Sequence, residues 1–148
     1  MPEPGLQTSG LVLVFQGDPA SVRQALTRMV ASPPLSDLTD DDRGTAELVL
    51  AEILNNVAEH AYSEAGGEVE VRLDPEPEGL RCLVLDSGRE MPGGRLPEGR
   101  LPGGPDVALD DLPEGGFGWH LIRSLCAGLT YTRADGQNRL AFFLPYGS

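Results

Sequence analysis

Apolar residues recur along this chain with two different periods, and the switches between them outline the fold. Leu11-Val-Leu-Val-Phe15 is a β-rich apolar run closed by Gly17-Asp18-Pro19, which predicts a strand followed by a helix start. Asp18 is placed to cap that helix and Pro19 to take its first position, where a missing N–H costs nothing. Val22, Leu26, Met29 and Val30 repeat at helical spacing up to Ser32-Pro33-Pro34, where two prolines end the helix. A second, longer helix is predicted from Thr39 or Asp40 to about Tyr62. The run Asp40-Asp41-Asp42 suits its positive N-terminus, and Gly66-Gly67 stops it. Glu68 to Leu73 and Leu80 to Leu85 then alternate as two strands, joined as an antiparallel hairpin by a turn over Asp74 to Gly79.

From Arg89 to Glu114 the pattern dissolves into Gly and Pro, with the partial repeat Gly94-Arg-Leu-Pro97 and Gly99-Arg-Leu-Pro102. A loop of this length inside a compact domain reads as a lid or a disordered insertion. Helical spacing returns from Gly116 to Ala127 through Trp119, Ile122 and Leu125, with Gly128 as the expected stop. Two last strands, near Leu129 to Arg133 and Arg139 to Leu144, meet at the hairpin turn Asp135-Gly136. The order βα, α, ββ, lid, α, ββ predicts a two-layer α/β sandwich: a mixed, largely antiparallel sheet with helices on one face.

Composition narrows this picture without changing it. At 148 residues, 40% of them apolar, the chain fits one domain with one core over 1–148. No apolar run approaches the roughly 20 residues that cross a bilayer. The opening Met-Pro-Glu-Pro-Gly has neither the basic nor the apolar part of a signal peptide, so a cytoplasmic protein away from membranes is expected. Cys82 in a strand-like run and Cys126 near a helix end read as two reduced, packed thiols. Eleven basic against 23 acidic residues give a net charge of −12, which speaks against direct binding to nucleic acid. An acidic protein can still hold a nucleotide if a divalent cation and backbone N–H groups face the phosphates.

Three short motifs carry the candidate chemistry. In Glu52-Ile-Leu-Asn-Asn56-Val-Ala-Glu-His60, the residues Glu52, Asn56 and His60 are four apart, so they share one helical stripe roughly 80° wide. Leu50, Leu54, Val57 and Ala61 gather on nearly the opposite side. Taken alone, that stripe reads as a solvated face. Its mixture of types suggests more: a carboxylate that can accept a proton, an amide oxygen that can ligate a hard cation, and an imidazole one turn on. Asn55 and Glu59 lie off the stripe and serve as internal controls. Asp86-Ser-Gly88 ends an apolar strand and reads either as a turn or as an acceptor for an exocyclic amine such as adenine's, with Gly88 permitting close approach of a base. Gly115-Gly116-Phe117-Gly118 opens a helix, so its free N–H groups suit phosphate oxygens. Phe117 and Trp119 read as packing residues, and His120 has no ligand-spaced partner.

In this order the motifs resemble those of the GHKL ATPases, the superfamily of gyrase-type, chaperone and histidine-kinase nucleotide domains. Glu52-x-x-x-Asn56-x-x-x-His60-Ala-Tyr is similar to its N-box, Asp86-x-Gly88 to its adenine box, and Gly116-x-Gly118 with Leu121-Ile122-Arg123 to its last glycine box. The nearest branch in character is that of the bacterial anti-sigma-factor serine/threonine kinases. The resemblance implies a Bergerat-type ATP-binding fold from about Leu11 to Pro145, with 89–114 as the ATP lid. It also implies that the chain sequesters a sigma factor and phosphorylates an antagonist protein. Glu52 would then be the general base and Asn56 the Mg²⁺ ligand. Asp86 and Gly88 would hold the adenine of ATP, Gly116 and Gly118 the phosphates, and His60 would support the helix or the phosphate side.

Two departures stand out: Glu114 occupies the place before the glycine box where such kinases can present a basic residue, and the lid is unusually rich in Gly and Pro. They leave open a sequestering module with little or no phosphotransfer. A detached histidine-kinase catalytic domain would need a phosphoacceptor His upstream of the motifs, and the chain has only His60 and His120. A gyrase-type ATPase would need a transducer domain. The sequence names neither partner, and leaves room for a homodimer.

Overall fold

The computed structural model describes residues 10–61, 67–91, 94, 96 and 116–147, the side chains of 60, 61, 116 and 117 lying outside this set. Strand β1 (Leu11–Gln16) leads into helix α1 (Pro19–Val30). Asp18 caps α1 as its residue type predicts, its carboxylate accepting from the Ser21 N–H at 2.8 Å. Helix α2 (Asp40–Asn56) is capped by Thr39, whose Oγ1 accepts from the Asp42 N–H at 3.1 Å. Beyond Asn56 the chain winds as a π turn, Val57–Ala61. The expected continuation to Tyr62 and the stop at Gly66 lie outside the described residues.

Strands β2 (Glu68–Glu76) and β3 (Gly79–Asp86) form the expected hairpin, but each runs further than its alternation suggests, closing over Pro77 and Glu78. Helix α3 (Gly116–Leu125) is followed by β4 (Ala127–Ala134) and β5 (Gln137–Pro145). Here one expectation is corrected. Gly128 does not stop the helix; with φ of 59° it sits inside β4, at the register irregularity between Ala127 and Thr130. Asp135 and Gly136 turn the last hairpin with φ of 54° and 75°, the doubly positive geometry that matches strand twist and that glycine adopts without steric cost.

The strands order as β1-β2-β3-β5-β4, and every neighbouring pair is antiparallel. Val69, Val71, Cys82, Val84, Leu140 and Phe142 point inward from the three central strands and are buried. They meet Val22 and Met29 of α1, Val49, Leu50, Ile53 and Leu54 of α2, and Trp119 and Ile122 of α3 in one core. The opposite parity of β1 leaves Val12 and Val14 exposed. This is the two-layer α/β arrangement with helices on one face. Both thiols are free; burial pushes Cys126 up to about 12 and Cys82 higher still, so neither is poised as a thiolate nucleophile at neutral pH. Among the described residues no helix is long and apolar enough to cross a membrane.

Candidate functional site

The ends of α2 and β3 and the starts of β5 and α3 surround a cavity of about 230 Å³. That is below the roughly 300–1,000 Å³ typical of drug-sized pockets, and suits one planar base better than a whole nucleotide. Val84, Trp119 and Leu140 give it apolar walls, while Asn56, Asp86 and Asn138 supply polar atoms. Those three are also the buried polar residues of the molecule's described part, so each needs partners or a ligand.

Helix α2 separates the two halves of its sequence motif. Asn55 and Glu59, the off-stripe controls, are exposed, Glu52 is half-buried, and Asn56 is only 7% exposed. Thus the stripe is not a solvated face at Asn56. Its Nδ2 donates to the Glu52 carbonyl at 2.7 Å, which turns Oδ1 away from the helix backbone, and among the described residues that oxygen accepts no hydrogen bond. His60 lies in the π turn by its backbone, its side chain being outside the described residues.

Asp86 ends β3 with its carboxylate nearly buried. Its Oδ1 accepts from the Gly88 N–H at 2.9 Å and from Asn138 Nδ2 at 2.8 Å, while Oδ2 accepts nothing among the described residues. Burial raises the pKa of this carboxyl above the ordinary value, and the bonds from Asn138 and Gly88 together with the charge of Arg133 pull the other way. Sequence reasoning missed Asn138 and its supports. Tyr131 Oη, which accepts from the Met91 N–H at 3.0 Å, donates to Asn138 Oδ1 at 2.6 Å. Arg133 Nη1 donates to the same oxygen at 2.8 Å and to the Gly88 carbonyl at 2.8 Å. The network fastens the chain after β3 to the last hairpin.

At the start of α3, Gly118 lies against α2. A Cβ there would sit 2.5 Å from Glu52 Oε1, so the glycine is what lets the two helices bring this carboxylate to the first turn of α3. Gly116 is the first residue of α3, as expected, and Gly115 lies outside the described residues. The expected lid falls outside them too, apart from 89–91, 94 and 96.

The donor set decides what a cation could use. Among the described residues no three His, Cys, Asp or Glu converge. A divalent cation here would therefore rely on the unpartnered Asn56 oxygen and on oxygens brought by a ligand, a pattern that fits Mg²⁺ arriving with phosphates. The sequence contains no lysine, so every side chain that is cationic throughout the neutral range is an arginine.

Comparisons with known proteins point the same way. The profile of the histidine kinase-like ATPase domain matches residues 15–143. Serine-protein kinase RsbW of Bacillus mycoides is 26% identical over 100 residues, covering 68% of this chain and 62% of that protein. RsbW of Bacillus velezensis is 31% identical over 88 residues, covering 59% and 55%. The chain thus spans under two thirds of the length of these relatives. The blue-light activated histidine kinase of Erythrobacter litoralis EL346 superposes with a TM-score of 0.52 at 21% identity, over 84% of this chain and 39% of that one, a likeness of fold.

Proposed function

The chain belongs to the histidine kinase-like ATPase domain family, and from that premise we propose that it is an anti-sigma-type serine/threonine protein kinase, which sequesters a sigma factor and phosphorylates an antagonist of that pairing. One observation carries the nucleotide part of this reading: a cavity with apolar walls in which a buried carboxylate, Asp86, keeps one oxygen without a partner among the described residues. The names of the RsbW relatives support the kinase part.

In this reading Asp86 Oδ2 accepts the exocyclic amine of adenine, with Gly88 allowing the base close approach. Gly116 and Gly118 present backbone N–H groups at the positive end of α3 to phosphates, and His60 supports that side of the helix. Asn56 Oδ1 would hold Mg²⁺, which would supply positive charge to offset that of the phosphates. Glu52 takes the proton of the acceptor serine or threonine hydroxyl as its oxygen forms a bond to the γ-phosphorus and the bond to the β–γ bridging oxygen breaks, leaving ADP and a phosphoprotein. The segment 89–114 acts as a lid. The cytoplasm is where ATP and these partners meet. A second reading, a sequestering module without transfer, draws on the complete lack of lysine, which leaves γ-phosphate charge to arginine and backbone.

Millimolar Mg-ATP should raise the thermal melt, since a native-state ligand adds RT ln(1 + [L]/Kd), about 2.7 kcal/mol at a hundredfold excess. An indifferent melt would overturn the nucleotide assignment. Incubation with labelled ATP, Mg²⁺ and candidate antagonists then separates the two readings: a labelled serine or threonine supports the kinase, and capture of a partner without label supports the module.

The glycine at 118 gives a sharper test of geometry. In Gly118→Ala the new methyl group must displace the end of the Glu52 side chain. Because that end is flexible and alanine favours helix, stability should hold or rise by up to about 1 kcal/mol. Phosphotransfer should nonetheless fall, by on the order of 10²-fold for a displacement near 1 Å. Melting curves with single-turnover assays check both halves; unchanged transfer would remove Glu52 from the proposed role.

A further inference from the structure

An amide at the end of a side chain can face a neighbour with either its oxygen or its nitrogen, and the partners of Asn138 leave one orientation. Its outer oxygen receives Arg133 Nη1, a group that only donates, and Tyr131 Oη, whose proton is free because the hydroxyl oxygen already accepts from the Met91 N–H. Nδ2 must then point the other way, where it meets three acceptors: Asp86 Oδ1 at 2.8 Å, the Arg89 carbonyl at 2.9 Å and the Gly88 carbonyl at 3.4 Å. Asn138 is buried, so the arrangement is not diluted by solvent.

A carboxylate oxygen offers about two lone-pair directions. On Asp86 Oδ1 one is taken by the Gly88 N–H and the other by Asn138 Nδ2, which leaves Oδ2, without a partner among the described residues, as the free acceptor of this cavity-lining carboxylate. A guanine presents N1–H and its 2-amino group side by side and is read best by both oxygens of a carboxylate. An adenine presents one amine, and one oxygen suffices.

Resting on the nucleotide reading of this same cavity, we propose that Asn138 is a specificity-determining residue: by saturating Asp86 Oδ1 it restricts the carboxylate to a single open acceptor and selects adenine over guanine. Tyr131 and Arg133 are positioning residues that hold the amide in the selecting orientation. Selection therefore comes from a residue that does not itself meet the amine.

The test compares the dissociation constants of ADP and GDP by titration calorimetry in the wild-type protein and in Asn138→Ala. The wild type should prefer ADP by on the order of a hundredfold or more. Asn138→Ala reopens a lone pair on Oδ1 and should narrow that preference roughly tenfold, with weaker ADP binding and relatively stronger GDP binding. Equal weakening of both nucleotides, with the ratio kept, would mean that Asn138 is merely structural and would overturn the proposal. A wild type that binds ADP and GDP alike overturns it while sparing the nucleotide site; one that binds neither overturns both. Should Asn138→Ala fail to fold, Tyr131→Phe, which removes one donor from Oδ1 of Asn138, should narrow the ratio to a smaller degree, and an unmoved ratio there overturns the proposal.

Discussion

Replacement of Glu52 by alanine should leave Mg-ATP binding near the wild-type level and cut phosphotransfer to an antagonist serine or threonine by roughly 10² to 10⁴-fold, the usual worth of a positioned general base. The expectation follows from placement. Glu52 is half-buried on α2, four residues before Asn56, and its carboxylate lies where a Cβ on Gly118 would touch it at the first turn of α3. A carboxylate at the opening of the helix proposed to hold phosphates adds no attraction for those phosphates, so its removal should not weaken the ground-state complex. What it can add is a proton acceptor beside the transferring group. Asn56→Ala should behave differently and damage both binding and transfer, because it deletes the buried amide oxygen offered to the cation. Asn55→Ala, on the exposed side of the same turn, should alter neither. Single-turnover transfer of labelled phosphate, read beside calorimetric titration, separates the three. Full activity in Glu52→Ala would end the general-base assignment.

Much of this framework is written in local chemistry. The Asp18 cap, the Thr39 cap and the Asp135-Gly136 turn each depend on residues within a few positions, and each forms as its residue types predict. Longer-range features are not so legible. Asp74-Pro-Glu76 looks like a turn, yet it extends β2, because β3 stays in register with it as far as Glu76, and Pro75, with no N–H to donate, falls beyond Leu73, where the register with β1 ends. Asn56 reads as part of a solvated stripe until α3, the end of β3 and the start of β5 close over it.

Asn138 is the least legible in the sequence, since its contact with Asp86 spans 52 residues and exists only through the β3–β5 register. A trace is present all the same. Asn138 shares inward parity with Leu140, Phe142 and Leu144, and Tyr131 and Arg133 share one parity on β4. A polar residue on the inward face of a strand must find polar partners, and here the nearest is the carboxylate at the end of β3.

That carboxylate supplies the second large effect, and it separates a residue kept for binding from one kept for structure. Burial raises the folded-state pKa of Asp86 above its unfolded value. For an acid shifted upward, the stabilising contribution is full below the unfolded value, near 3.9, and is lost as pH rises through the folded value. At neutral pH the free protein therefore bears the cost of an ionised, desolvated group. Asp86→Asn removes the charge while keeping an oxygen to accept from the Gly88 N–H and Asn138 Nδ2, so the free variant should melt at or above the wild type at pH 7. Its advantage should shrink as pH falls through the folded value and the wild-type carboxyl takes up its proton. Nucleotide binding should move the other way. The new amide N–H₂ would face the cavity where Oδ2 stood, donor against the amine of adenine, and affinity for ADP should drop by about 1 to 3 kcal/mol, roughly ten- to a hundredfold. In the wild type the same loss should appear on acidification, because a proton on Oδ2 removes the acceptor. Melting curves with and without saturating ADP, recorded in steps from pH 7 downward, read all of these at once. A structural aspartate would give a variant that melts several degrees lower when free, or one that binds ADP as the wild type does, and either result would remove Asp86 from the base-reading role.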